Sequence, residues 1–400
     1  MLTHAVPPQS RTRGHAWRVL AVAACLVLIG RATASAGSTV VVFTVDVESK
    51  DALPLPRQVD AVCSGGSPCG LMEIARLLHE RGWSGTFFLN VYERAEWGDA
   101  AMESIAQRLR STGQDVALHT HPQWSYDPQR PGMNEYSLEE QTAIVRDGVR
   151  LLQAWTGQQV VAHRAGGYAA DQRTLIALER NGVLLDSSMF WTHENNRLDG
   201  LGLPANVPGR YGRVTEIPVT VYEREDRPAL LGAFVAPFRV LRKIDPNWLA
   251  SADEARASIE AAVADDVPVL VVFLHSFSFM VDRPGPASIA DRHAMDMFRA
   301  IVDEVTKENL GVVSMRDLAA PARAVALSQG DSLPRVTVAV GLPRYVWRRA
   351  RTADRVLLST AAGAPLLSVA ALVALAWRRK AIRDRRGHAF ANGPKGVPSP

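Results

Sequence analysis

Residues 39–48 read Thr-Val-Val-Val-Phe-Thr-Val-Asp-Val-Glu, an apolar, β-branched run that ends in two carboxylates. A run of this length and composition reads as a buried strand. Side chains at i and i+2 of a strand share a face, so Asp46 and Glu48 converge at its C-terminal end. Two acids at that place suit a metal ligand or a catalytic base. A helix N-cap or a solvated loop is the structural alternative.

The rest of residues 37–321 alternates strand and helix. A Pro/Gly/Cys-rich insertion follows the first strand, then a helix near 70–81 and a strand at 84–90. A helix near 99–112 and a strand at 114–120 come next. Ser137-Leu-Glu-Glu140 has the form of a capping box and opens a helix to about Trp155. A strand at 159–163 leads into Arg164-Ala-Gly-Gly-Tyr168, followed by a helix from Asp171 and a strand at 183–186. Residues 190–245 show no clear period apart from a strand near 213–221. Ser251 caps a helix, Val267–Leu274 is a buried strand, and a helix near 290–309 and a short strand at 311–314 complete the series. Such alternation builds a parallel sheet with helices outside, which tends to close into a barrel.

Polar residues fall at the ends of these strands. Asp46 and Glu48 end the first, His119 and His121 the third, and Asp186 the fifth; Arg164 follows the fourth, and His275 ends a long apolar run. In a parallel barrel the C-terminal strand ends form one mouth, where active sites are built. His119 and His121, with a carboxylate, would supply three ligands and leave a fourth position for water, as in catalytic zinc sites. Structural histidines are the alternative. His275 is expected to be desolvated, which suits a tuned acid or base; a hydrogen-bonded core histidine is the other reading.

The termini carry targeting signals. Arg11, Arg13 and Arg18 precede the apolar stretch Val19–Gly30, and Ala34-Ser-Ala36 offers a cleavage site, so residues 1–36 read as a secretory signal. An uncleaved anchor is the alternative. Val22-Ala-Ala-Cys25 mimics a lipoprotein box, but the apolar run continues past Cys25. Removal of the signal leaves Cys63 and Cys69, an even count that suggests a disulfide in an exported chain, with a reduced, inert pair as the alternative. Residues 322–355 read as a juxtamembrane linker. Residues 356–377 lack charge and are long enough to span a bilayer. The basic tail 378–400 is expected in the cytoplasm, with the body exported to the periplasmic or exterior side. The net charge of +4 comes largely from these flanks. A basic patch facing anionic lipid explains it, and no nucleic acid partner is implied.

Taken in order, Thr44-Val-Asp46-Val-Glu48, Gly113-Gln-Asp-Val-Ala-Leu-His119-Thr-His121-Pro122, Arg164-Ala-Gly-Gly-Tyr168, Leu185-Asp186-Ser-Ser188 and Leu274-His275-Ser276 resemble the five motifs of polysaccharide deacetylases, the NodB-homology family or carbohydrate esterase family four. Gly85-Thr-Phe-Phe-Leu89 is similar to that family's second strand, and the resemblance covers about residues 40–320. It implies an α/β fold, an irregular and incomplete (β/α) barrel. Two positions depart from the usual pattern: the acids are spaced Asp-Val-Glu rather than adjacent, and the histidines stand two apart rather than four.

The resemblance also implies roles. Asp46 would be the general base, held by Arg164. Glu48, His119 and His121 would hold a divalent metal, zinc by family habit. A backbone N–H near Tyr168 would face the oxyanion. His275 would protonate the leaving group, with Asp186 orienting and charging it. Trp191, Trp124, Trp83 and Tyr126 are candidates for stacking on sugar rings. The implied activity is removal of N- or O-linked acetyl groups from a cell-envelope or extracellular carbohydrate. A deformylase or deacetylase of a lipid-linked sugar and a catalytically silent carbohydrate-binding module are the alternatives.

Overall fold

The computed structural model describes residues 39–191, 193–229, 236–320 and 333–340. The apolar runs form the strands of one long sheet: β1 (Val40–Val47), β2 (Thr86–Asn90), β3 (Asp115–Thr120), β4 (Ala162–Ala165) and β5 (Leu185–Asp186). The short β6 (Gly209–Tyr211) and β7 (Val214–Glu216) extend it. Three strands lie outside this run: β8 (Val221–Pro228), β9 (Phe238–Lys243) and, at the end of the described chain, β12 (Arg335–Val340). The large sheet is completed by β10 (Val269–His275) and β11 (Gly311–Val312).

The order of the large sheet is β10-β1-β2-β3-β4-β5-β7-β6, with β11 pairing β1 off this path. All pairs from β10 to β7 are parallel, and only β6 runs antiparallel. A parallel pair needs a long crossover, and the helices Leu71–His79, Asp99–Ser111, Leu138–Thr156 and Gln172–Arg180 supply it between β1 and β5. Among the described residues the sheet ends on β10 and β6 without pairing them, so the barrel is incomplete, as the resemblance implies.

Local chemistry explains the helix limits. Ser137 accepts from the Glu140 N–H while the Glu140 carboxylate accepts from the Ser137 N–H, the predicted capping box. Asp171 and Ser251 cap the helices Gln172–Arg180 and Ala252–Ala264. Gly157 ends Leu138–Thr156 in the left-handed region at φ 65°, where a Cβ would be strained.

Cys63 and Cys69 are joined as a disulfide across the insertion after β1. That insertion also forms a short helix, Leu55–Val59, behind Pro54.

Two regions differ from the sequence reading. Residues 190–245, expected to hold one strand near 213–221, hold β6, β7, β8 and β9. Strands β12, β8 and β9 form a separate sheet in that order. Strand β8, Val-Tyr-Glu-Arg-Glu-Asp-Arg-Pro, lacks the apolar alternation of a half-buried strand because its buried charges are paired: Arg224 donates to Asp226 at 2.8 Å and to Glu254 of the helix Ala252–Ala264. Strand β12 lies within the expected linker 322–355 and pairs in parallel with β8 over six residues, Arg335↔Glu223 to Val340↔Pro228. Apart from residues 333–340, that linker, the signal 1–36, the span 356–377 and the tail 378–400 lie outside the described residues. Among the described residues no helix is long and apolar enough to cross a membrane.

Candidate active site

Strand register sets the predicted residues in two rows near the C-terminal strand ends. Asp46 pairs His275 across β1 and β10, and Asn90, His119 and Arg164 line up across β2, β3 and β4. The apolar bodies of these strands fill the core, so the polar ends are left at the mouth.

Arg164 is fully buried and organises the floor of the site. Its Nη1 donates to Asp46 Oδ1 at 2.8 Å and to the Thr44 hydroxyl at 3.1 Å, while Nε and Nη2 donate to the Ser187 carbonyl and hydroxyl at 2.9 Å each. Its guanidinium lies over the Phe88 ring at 4.4 Å. Such a cation is tolerable in a core because each face and edge has a partner.

Glu48, His119 and His121 converge in front of Asp46. Their ligand atoms lie within 4.8 Å of one another. Glu48 Oε2 is 3.2 Å from His119 Nε2 and 2.5 Å from His121 Nε2. His119 Nδ1 donates to the Arg164 carbonyl at 2.9 Å, which turns Nε2 towards Glu48. A second hydrogen bond of this kind is what fixes a metal-binding imidazole. His121 Nε2 is buried and, despite its closeness to Glu48, has no partner in hydrogen-bond geometry. The Gln123 amide lies 3.3 Å from His121 Nδ1, and Gln123 Oε1 is itself unpartnered. Presenting that oxygen to Nδ1–H leaves Nε2 free as a ligand. Gly166 is required here, because a Cβ would overlap the His121 ring. An orphaned imidazole nitrogen, a second imidazole fixed by its far nitrogen and a carboxylate between them fit a divalent cation of the zinc type.

The electrostatics agree with that donor set. Burial works to raise the Glu48 carboxyl, but His121 and His119 outweigh it and hold it well below the usual range. Burial works to lower His119, and Asp46 and Glu48 override it, so the imidazole is raised. Glu48, His121 and His275 keep 17%, 19% and 26% of their side chains exposed, which leaves a way in for substrate.

His275 faces the other Glu48 oxygen, with Nε2 3.6 Å from Oε1, and stacks on Phe277 with ring centroids 4.6 Å apart. Its expected partner is elsewhere. Four strands lie between Asp186 on β5 and His275 on β10 in the sheet order. Asp186 Oδ1 meets His163 Nδ1 at 2.7 Å and accepts from the Ser188 hydroxyl at 2.8 Å. Ser188 in turn accepts from the Ala165 N–H at 2.9 Å, so Asp186 supports the turn after Arg164 rather than charging the acid. Burial, with Lys243 adding to it, pushes His275 below its ordinary value despite Glu48.

Tyr168 is buried, with φ 58°, and its ring edge meets Phe190 at 5.0 Å. Trp191 is half-buried and packs against the same cluster. Trp124 is also half-buried against the core, and Tyr126 is exposed at the surface with its hydroxyl on Asp147 at 2.8 Å. Trp83 is not a sugar platform: it stacks on core Phe43 at 5.6 Å, before β2 begins and away from the mouth.

Several residues of this site were not legible in sequence. Glu93 accepts from Ser49, beside Glu48, and from Asn90, whose Oδ1 accepts from the His121 N–H at 3.4 Å; it ties the two ligand-bearing segments together. His163, Glu216 and Lys243 are likewise buried polar groups around the site. His163 stands next to Arg164 on a strand and so points to the other face, which an i, i+2 search passes over.

Residues 41–185 match the family model of polysaccharide deacetylases. This segment is similar to a polysaccharide deacetylase domain. It runs from β1 to the first residue of β5 and includes Asp46, Glu48, His119, His121, Arg164 and Tyr168; Asp186 and His275 come from outside the matched residues. Among curated proteins none matches the chain. Solved structures similar to it include a candidate polysaccharide deacetylase of Mycobacterium smegmatis, 18% identical, covering 76% of this chain and 96% of that one at a TM-score of 0.48. A chitin deacetylase of Colletotrichum lindemuthianum is 12% identical, covers 73% and 93%, and has a TM-score of 0.40. A family-four acetyl xylan esterase of Clostridium thermocellum is 13% identical, covers 74% and 98%, and has a TM-score of 0.37.

Proposed function

We propose that the chain is a metal-dependent hydrolase that removes acetyl groups, N- or O-linked, from a carbohydrate. The observation that carries this reading is the convergence of Glu48, His119 Nε2 and the unpartnered His121 Nε2 beside an Asp46 fixed by buried Arg164. A divalent ion held by those three residues would polarise the acyl carbonyl and acidify the attacking water. Asp46 takes the water proton, and its bond to Arg164 aims it. The new C–O bond forms at the acyl carbon, and the backbone N–H near Tyr168 faces the developing oxyanion. When the bond to the sugar nitrogen or oxygen breaks, His275 hands that atom a proton, and the products are a carboxylate and a free amine or hydroxyl. A module that only bound sugar would need neither the Asp46–Arg164 pair nor His275.

The experiment is release of acetate or formate from a panel of N- and O-acylated sugars by the full chain loaded with zinc. Release that is lost on chelation and restored by metal supports the reading. A zinc-loaded protein that binds sugar and releases nothing makes it a binding module.

The same reading places the domain outside the cytoplasm, held at the membrane by residues 356–377. The Cys63–Cys69 disulfide supports an oxidising compartment, since such bonds are rare in reducing ones. A reporter that works only outside the cytoplasm is expected to be active when fused near Gly330 and silent when fused near Pro400; the reverse pattern would overturn the orientation.

A further inference from the structure

Lys243 is the last residue of β9, in the accessory sheet and outside the segment matched to the family. It is only 3% exposed. Its ammonium donates to the Tyr168 hydroxyl at 3.0 Å, pairs with Asp245 Oδ2 at 3.1 Å and sits 3.4 Å from the centroid of the Phe273 ring. Three donors thus meet three acceptors, and the cation has one orientation. Asp245 is itself buried and offsets the desolvation of the ammonium.

Both neighbours of Lys243 lead to the reacting centre. Tyr168 is a non-glycine residue with φ 58°, a conformation that persists only where the surroundings enforce it. Phe190 and His193 hold its ring edge-on, each with centroids 5.0 Å away, and Lys243 holds its hydroxyl. Phe273 stands two residues before His275, with the two rings 4.8 Å apart, and the Arg164 guanidinium lies on the same ring at 5.2 Å.

We infer that Lys243 is a positioning residue for the deacylation: through the Tyr168 hydroxyl and the Phe273 ring it fixes the oxyanion-facing turn and His275, so the accessory sheet is a working part of the active site. This rests on the hydrolase reading above. A small displacement of such groups is enough to slow a reaction about 10²-fold without changing what the site binds.

The test is the split between kcat and KM, read with zinc affinity, in Lys243→Met and Tyr168→Phe. Each substitution is expected to lower kcat on the order of tenfold to a hundredfold, with KM and the zinc Kd within about twofold of wild type. The double variant is expected to be no worse than the poorer single one, because both cut the same link. If Lys243→Met fails to fold, Tyr168→Phe alone decides: a lowered kcat supports the inference and an unchanged kcat overturns it. It is also overturned if the fall in kcat comes with a raised KM and a raised zinc Kd, the mark of general loosening. An active wild type with both variants unaffected sinks this inference alone; a zinc-loaded wild type that releases no acyl group sinks the hydrolase reading and this inference with it.

Discussion

Arg164 Nη1 donates to Asp46 Oδ1 at 2.8 Å, with the Arg164 side chain fully buried and Asp46 nearly so. The bond crosses the sheet from β4 to β1, strands that are not paired with each other. It therefore holds the base and also the curvature that brings the strand ends together.

Removing the cation leaves Asp46 buried and uncompensated. Arg164→Leu is expected to lower stability by about 3–5 kcal/mol, the usual penalty for breaking a buried pair from one side. Chemical denaturation at neutral pH measures it. A loss under about 1 kcal/mol would mean that solvent reaches Asp46 and that Arg164 does not fix it.

Asp186 and Glu216 give a prediction in pH. They are paired in register on β5 and β7, and neither Asp186 Oδ2 nor Glu216 Oε2 has a donor. A proton held between them satisfies both. Burial and then the Asp186 charge raise Glu216 well above its ordinary range, while Asp186, although burial opposes it, is held low by His163. A raised carboxyl binds more protons in the folded state. Its contribution is full below the unfolded value of about 4.3 and is lost as pH rises through the folded value. Asp186 acts in the opposite sense, at acid pH. Glu216→Gln keeps an acceptor for the Met189 N–H and offers Asp186 an N–H that never titrates. The gap in Tm between this variant and wild type is expected to grow in the variant's favour as pH is raised from about 5 to about 9. A gap that stays constant over that range would rule out the shared proton.

His275→Ala should cost amide substrates on the order of 10²–10⁴-fold in kcat, the range for a general acid. Aryl acetates, whose leaving groups need no proton, should be affected far less. Steady-state kinetics on an N-acetyl sugar and an aryl acetate make the comparison. Equal losses on both would make His275 structural or a metal ligand.

Sequence made the barrel legible because its strands are continuous apolar runs and its helices carry their own caps at Ser137, Asp171 and Ser251. The convergence of Glu48, His119 and His121 was legible for a related reason: residues two apart along an extended strand end share a face. What failed was partner choice across strands. The resemblance gives Asp186 to His275, yet register gives it to His163, its neighbour across β4 and β5. The accessory sheet was missed because β8 is built from charges that are neutralised only in three dimensions. Strand β12 does alternate, as Arg-Val-Thr-Val-Ala-Val, but its partner β8 lies more than a hundred residues earlier in the chain. Lys243 gave no signal, since a lone lysine in a basic stretch reads as solvated until its partners Tyr168 and Asp245 are in place.

The division of labour between the two acids of β1 is the centre of this account. Metal content and acyl release, measured on the same preparations of wild type, Asp46→Asn and Glu48→Gln, test it most directly. Asp46→Asn is expected to retain its zinc and lose turnover, because it removes a base and leaves the ligands, whereas Glu48→Gln is expected to lose zinc and turnover together. Loss of zinc from Asp46→Asn with full retention in Glu48→Gln would contradict it.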